Sequence, residues 1–202
     1  MGILRASTGQ AAANVVAFAC TMGIITALPA WAGATRVMDD LDTQAEVAHK
    51  VVLRQVRRTL KRDWMMSLLS VVLIFLGLFT AFTSWAYFEG STRWGLLAGA
   101  LFLYCIMALL LVNYTHAAGT LPYAATRNQV MDVTMRRIIT HPVRALAAVF
   151  AVLVCLPLWV LAPLAVGFGI TLPAWLVDRV WKGVDTLGVE VTQDRTDLDD
   201  EL

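Results

Sequence analysis

Charge is scarce in this chain, and where it is missing carries the first inference. Asp, Glu, Lys and Arg make up 15% of the 202 residues, against 58% hydrophobic residues, whereas soluble domains run at about 45–50% apolar and about 25% charged. Four stretches hold no charge at all: Ala11–Ala32, Trp64–Phe88, Trp94–Ala118 and Ala145–Val177. Uninterrupted apolar runs of that length exclude an ordinary water-soluble domain, because lipid is the medium that accepts them.

Cysteine is nearly as sparse. Cys20, Cys105 and Cys155 each lie inside an apolar run without C-x-x-C spacing. This argues against a zinc knuckle or a dithiol redox pair and leaves them as small packing residues. His116 has no second histidine or carboxylate at metal-ligand spacing, and His49 and His141 belong to separate loops, so no metal is expected. The chain also lacks a Gly-rich dinucleotide or phosphate loop and a G-x-S-x-G elbow, so neither catalytic residues nor a cofactor are expected.

What is present is a topology. A bilayer core of about 30 Å needs about 20 helical residues, so each of the first three runs reads as one crossing. The fourth would reach about 50 Å at about 1.5 Å per residue. It contains Pro157, Pro163 and Gly167, which favours a hairpin of two short helices. Short loops rich in Lys and Arg stay in the cytoplasm. The first loop carries Arg36, Lys50, Arg54, Arg57, Arg58, Lys61 and Arg62, and the third carries Arg127, Arg136, Arg137 and Arg144. Five spans satisfy that rule, at about 11–32, 64–88, 94–118, 145–161 and 164–181, with the N-terminus outside and the C-terminus cytoplasmic. Four spans are the alternative, and they would strand Arg179, Lys182 and Arg195 outside. Residues 1–182 then form the transmembrane domain, and 183–202 an acidic, flexible cytoplasmic tail. A cleavable leader ending near Ala32-Gly33-Ala34 is disfavoured, since it would leave the most basic loop outside.

The loops have their own periodicity. Val52, Val56 and Leu60 recur at i, i+4 and i+8, with Lys50, Arg54, Arg57, Arg58 and Lys61 opposite. A basic amphipathic helix of this kind suits anionic headgroups, which makes anionic lipid the expected partner of Lys50–Arg62. Met131, Met135, Ile138 and Ile139 repeat the theme beside Arg136 and Arg137. The expected fold is therefore an all-α polytopic transmembrane bundle with two cytoplasmic amphipathic helices. No nucleic-acid motif or interleaved aromatics accompany the cations, so nucleic acid is not an expected partner. Every charged residue lies at a span end or in a loop, which argues against a proton-coupled transporter.

Two patterns mark candidate sites. Asn113, His116 and Thr120 recur at i, i+3 and i+7 and form one polar stripe, suited to interhelical hydrogen bonds or to a ligand. Leu28-Pro29 followed by Ala34-Thr35-Arg36 is echoed by Leu121-Pro122 followed by Ala125-Thr126-Arg127. If that echo is a duplication, Pro29 and Pro122 open facing helix ends, and Arg36 and Arg127 satisfy exposed carbonyls or bind an anion.

A family resemblance gathers several of these residues. Asn14 opens the first span and Leu28-Pro29 closes it; Ala34 through Val37, the basic Arg57–Arg62 stretch and the returning Leu121-Pro122 follow. Over residues 10–182 the chain resembles the YesL-like family of bacterial integral membrane proteins. The resemblance implies a small polytopic protein of the bacterial cytoplasmic membrane, encoded beside carbohydrate-uptake ABC transporters and glycan-degrading enzymes, with no established activity. The function expected from it is that of a non-enzymatic accessory protein, associated with carbohydrate ABC transporter subunits. A small uncoupled permease or channel for a neutral solute is the alternative.

Overall fold

A computed structural model describes residues 2–21, 23–39, 45–160, 165 and 167–182. The helices are α1 (Gly2–Thr21), α2 (Ala27–Asp39), α3 (Ala48–Tyr87), α4 (Gly90–Thr120), α5 (Arg127–Thr140), α6 (Pro142–Cys155), α7 (Pro157–Val160) and α8 (Thr171–Trp181). No strand occurs among the described residues. Pro163 and the acidic tail lie outside them.

Among the described residues two helical stretches are long and apolar enough to cross a membrane, Ala45–Tyr87 and Gly90–Thr120, and a third is if the bent pair Arg127–Thr140 and Pro142–Cys155 is one span. The first two form a hairpin turning at Phe88-Glu89, where Gly90 adopts φ +59°, a backbone state that costs glycine little. Arg93 closes the turn by donating from Nε to Phe88 O at 2.7 Å. Beyond the bundle the hairpin is apolar on its outside: Phe75, Phe79, Phe82, Leu101 and Phe102 are 64–69% exposed. Such a surface needs lipid around it. Thr80 and Thr83 return their hydroxyls to Leu76 O (2.8 Å) and Phe79 O (2.9 Å) of their own helix, so neither is left unsatisfied in hydrocarbon. The protein is thus an all-helical membrane protein with apolar transmembrane helices.

The basic stretch Lys50–Arg62 is the first part of α3 and continues into the apolar part of that helix without a break. Its inner face is Ala48, Val51, Val52, Gln55, Thr59 and Asp63, all buried, while Val56 and Leu60 are half-buried and Arg57 and Arg58 exposed. Packing against α2 selects this face, which is offset from the apolar stripe of the sequence: Gln55 finds Arg36 and Ala118 O there, and Thr59 returns its hydroxyl to Gln55 O of its own helix.

The first apolar run is divided between two helices. Gly23 is extended, and Thr26 turns its hydroxyl onto Gly23 O at 2.8 Å and onto Cys20 O, capping the end of α1. Pro29 falls in the first turn of α2, where a missing N–H is harmless. The chain then folds back. Leu28 N donates to Ser67 Oγ (3.3 Å), Arg36 reaches Gln55, and Gly9 lies against Ala45 at the other end. Alanines line the contact, with Ala13, Ala17, Ala30 and Ala34 in one core with Val52, Ile170 and Ala174, because small side chains let helix backbones approach. Gly119 serves the same end on α4: a Cβ there would sit 2.7 Å from Ala32 O.

The fourth run also breaks, after Cys155, where Pro157 starts α7. Before the run begins, α5 and α6 meet at 106°, with Pro142 starting α6. The start of α6 (Ala145, Ala148) packs on the end of α8 (Val177, Trp181), so α6 and α8 run antiparallel. The two members of the sequence echo do not share a backbone path. Residues 28–36 lie within α2, whereas Leu121-Pro122 belongs to the connection before α5 and Thr126 caps that helix.

Candidate functional site

Where α4, α5 and α8 meet, side chains that the sequence keeps far apart converge. Asn113 and His116 point inward from α4 and are buried; Thr120 is half-buried one turn on. This whole end of α4 is buried, from Asn113 to Gly119. Arg137 of α5, 5% exposed, donates from Nη1 to His116 Nδ1 at 2.8 Å and from Nη2 to Thr120 Oγ1 at 3.5 Å. A guanidinium only donates, so Nδ1 accepts and the imidazole proton sits on Nε2. That nitrogen faces Asp178 Oδ1 of α8 at 3.7 Å, beyond hydrogen-bond reach. Asp178 pairs in turn with Lys182 at 3.2 Å.

Aromatic rings wall the cluster. Trp181 stacks on His116 at 6.2 Å between ring centroids, meets His141 edge-on at 6.4 Å, and lies 5.4 Å from the Arg137 guanidinium carbon. Burial lowers the Arg137 pKa to about 10, still far enough above neutrality to keep the charge. Asn113 donates to Leu109 O (2.7 Å) and Ala145 O (3.4 Å). Among the described residues no three of His, Cys, Asp and Glu gather as a metal site.

Arg137, Asp178 and Trp181 are the members that sequence reading does not single out. A signal for two of them exists. Val130, Thr134 and Arg137 are the buried positions of α5, and Thr171, Ala174, Val177, Asp178 and Trp181 are among those of α8. Each series follows helical spacing, and each places a charge on an otherwise inward stripe. Both charges, Arg137 of the third loop and Asp178 at a run end, are thus buried rather than solvated.

Arg36 and Arg127 lie elsewhere. Arg36 donates from Nε to Gln55 Oε1 at 3.1 Å and from Nη2 to Leu121 O, with the Tyr123 ring 4.2 Å below its guanidinium; burial lowers its pKa. It does satisfy a carbonyl at a helix end. Gln55 holds the neighbouring Ala118 O at 3.3 Å. Next to it Arg62 grips Asp63 through two bonds of 2.7 and 2.9 Å and reaches Ala125 O at 3.3 Å. Tyr114 donates to the same Asp63 oxygen as Arg62 Nε, at 2.7 Å. These groups clasp the connection between α4 and α5. Arg127 is exposed and directs Nη1 to Met65 Sδ at 3.0 Å.

A third polar contact joins α1 to the start of α8. Asn14 Oδ1 accepts from Ile170 N (2.8 Å), Thr171 N (2.9 Å) and Thr171 Oγ1 (3.3 Å), while Nδ2 donates to Ala165 O (3.2 Å). It supplies the N-terminal cap that α8 lacks locally. Comparison with family models, with curated proteins and with solved structures finds no match.

Proposed function

We propose that this chain is a non-enzymatic accessory protein of the bacterial cytoplasmic membrane, associated with a carbohydrate-uptake ABC transporter. The observation that carries the accessory role is how the basic end uses its polar side chains. Arg36, Gln55, Arg62, Asp63 and Tyr114 are turned onto helix-end carbonyls and one another, an arrangement that stiffens a platform beneath an apolar hairpin. The kind of partner comes from the family resemblance. Crosslinking in native membranes followed by affinity purification is expected to recover transporter subunits in stoichiometric amount.

A second reading has its own support. The buried His116–Arg137–Asp178 cluster suits a small uncoupled permease for a neutral solute. Solute flux in liposomes holding this protein alone, abolished by substitution of His116, would establish the permease and displace the accessory role.

Charge counting gives five crossings, with the N-terminus outside and the C-terminus in the cytoplasm. The fold-back of α1 on α2, which brings Gly9 to Ala45, favours an N-terminus on the basic side. The two topologies differ in the side on which Thr8 lies, which cysteine labelling reads directly. In both, the exposed Lys50, Arg57, Arg58 and Lys61 meet anionic headgroups, each cation adding about 1 kcal/mol near the surface. The purified protein is expected to retain anionic over zwitterionic lipid, with retention falling as salt is raised. Equal retention of both lipids would remove this claim.

A further inference from the structure

Buried polar atoms normally find partners. Five side-chain atoms among the described residues do not, and four of them belong to one cluster: Asn113 Oδ1, His116 Nε2, Asp178 Oδ2 and Trp181 Nε1. The four residues are at most 5% exposed. The fifth atom, Ser84 Oγ, lies apart in the α3–α4 hairpin.

Their chemistry is complementary to a particular guest. Arg137 fixes the imidazole proton on Nε2, so His116 Nε2–H and Trp181 Nε1–H are two unanswered donors. The two bonds from Asn113 Nδ2 to Leu109 O and Ala145 O fix the orientation of that amide, leaving Oδ1 as an acceptor. Asp178 Oδ2 lies 3.2 Å from the Lys182 ammonium, and the carboxylate has lone pairs left to serve as a second acceptor. An oxygen bearing O–H accepts two hydrogen bonds and donates one or two, which matches this set. Ions fit worse: Asp178 opposes an anion, while Arg137 and Lys182 oppose a cation. The 3.7 Å between His116 Nε2 and Asp178 Oδ1 is too long for a direct bond, yet short enough for one oxygen to reach both. Lys182, with its side chain 46% exposed, is the flexible group between Asp178 and the solvent.

We infer that α4 and α8 form a binding site for a neutral hydroxyl group, of water or of a small polyol. Its oxygen accepts from His116 Nε2–H and Trp181 Nε1–H, and its O–H donates to Asp178 or Asn113. The inference goes beyond the accessory role and gives the permease reading a solute class. Occupancy and flux are separate readouts, so failure of one leaves the other measurable.

The test is indole NMR on the full-length protein in lipid nanodiscs, labelled with 15N at tryptophan, with the Trp181 signal assigned through Trp181→Phe. The Trp181 N–H is expected to show a magnetisation-transfer peak to water. A saturable shift on adding glycerol identifies a polyol site, and no shift with the water peak retained identifies a water site; either supports the inference. His116→Leu should abolish the response. His116→Gln should keep it, because the Gln amide can accept from Arg137 and donate onward. A Trp181 N–H with neither a water peak nor a glycerol shift would overturn the inference, as would a response unchanged in His116→Leu.

Discussion

Replacing Asp63 with alanine is expected to cost about 3–5 kcal/mol of stability, the penalty typical of breaking a buried charge pair by removing one partner. Asp63 is 1% exposed and accepts three bonds, two from Arg62 and one from Tyr114. Its loss leaves the Arg62 guanidinium, whose side chain is 8% exposed, without a counter-charge. The same loss loosens the grip of Arg62 on Ala125 O, so the connection between α4 and α5 should open with it. Tyr114→Phe removes one charge-assisted bond and is expected to cost less, about 1.5–3 kcal/mol. Denaturant titration in mixed micelles measures both. The double variant should fall short of the sum, since the two side chains share one oxygen. An Asp63→Ala protein within about 0.5 kcal/mol of the parent, the usual range for an inert surface change, would show that the clasp does not hold this end together.

Asn14→Ala is the second large effect, about 2–6 kcal/mol, from stranding two buried backbone N–H groups at about 1–3 kcal/mol for each unsatisfied group. The groups concerned are Ile170 N and Thr171 N, whereas Ala165 O keeps its bond from Gly169 N at 2.9 Å. Asn14→Asp keeps an acceptor for the two amides and loses the donor to Ala165, so it should recover part of the loss. Hydrogen exchange at Ile170 and Thr171 checks the mechanism separately from global stability. Those amides should lose protection in Asn14→Ala before the α3–α4 hairpin does. Unchanged protection would mean that α8 holds its start without α1.

The hairpin was legible in the sequence because its signal is local. Charge-free runs at Trp64–Phe88 and Trp94–Ala118 correspond to helices that end at Tyr87 and run from Gly90 to Thr120. The polar stripe was legible for the same reason, since Asn113, His116 and Thr120 share one helix face at fixed spacing. What hydropathy does not carry is direction after a break. Gly23 and Pro29 mark an interruption, but the fold-back of α1 depends on contacts such as that of Gly9 with Ala45. The charged members of the candidate site were hidden by sequence distance: Arg137 meets His116 across 21 positions, and Asp178 arrives from another helix altogether. Net charge at a run end reads as solvated unless its place on the buried stripe is checked.

The central claim is that an apolar hairpin crosses the bilayer while the polar clasp and the cations stay at its cytoplasmic end. Single cysteines introduced by Ser91→Cys and Lys61→Cys test it directly, in a protein whose Cys20, Cys105 and Cys155 are replaced by alanine. With a membrane-impermeant maleimide, Ser91→Cys should label in intact cells and Lys61→Cys only after permeabilisation. Labelling of both from the same side, or the reverse pattern, would contradict the account.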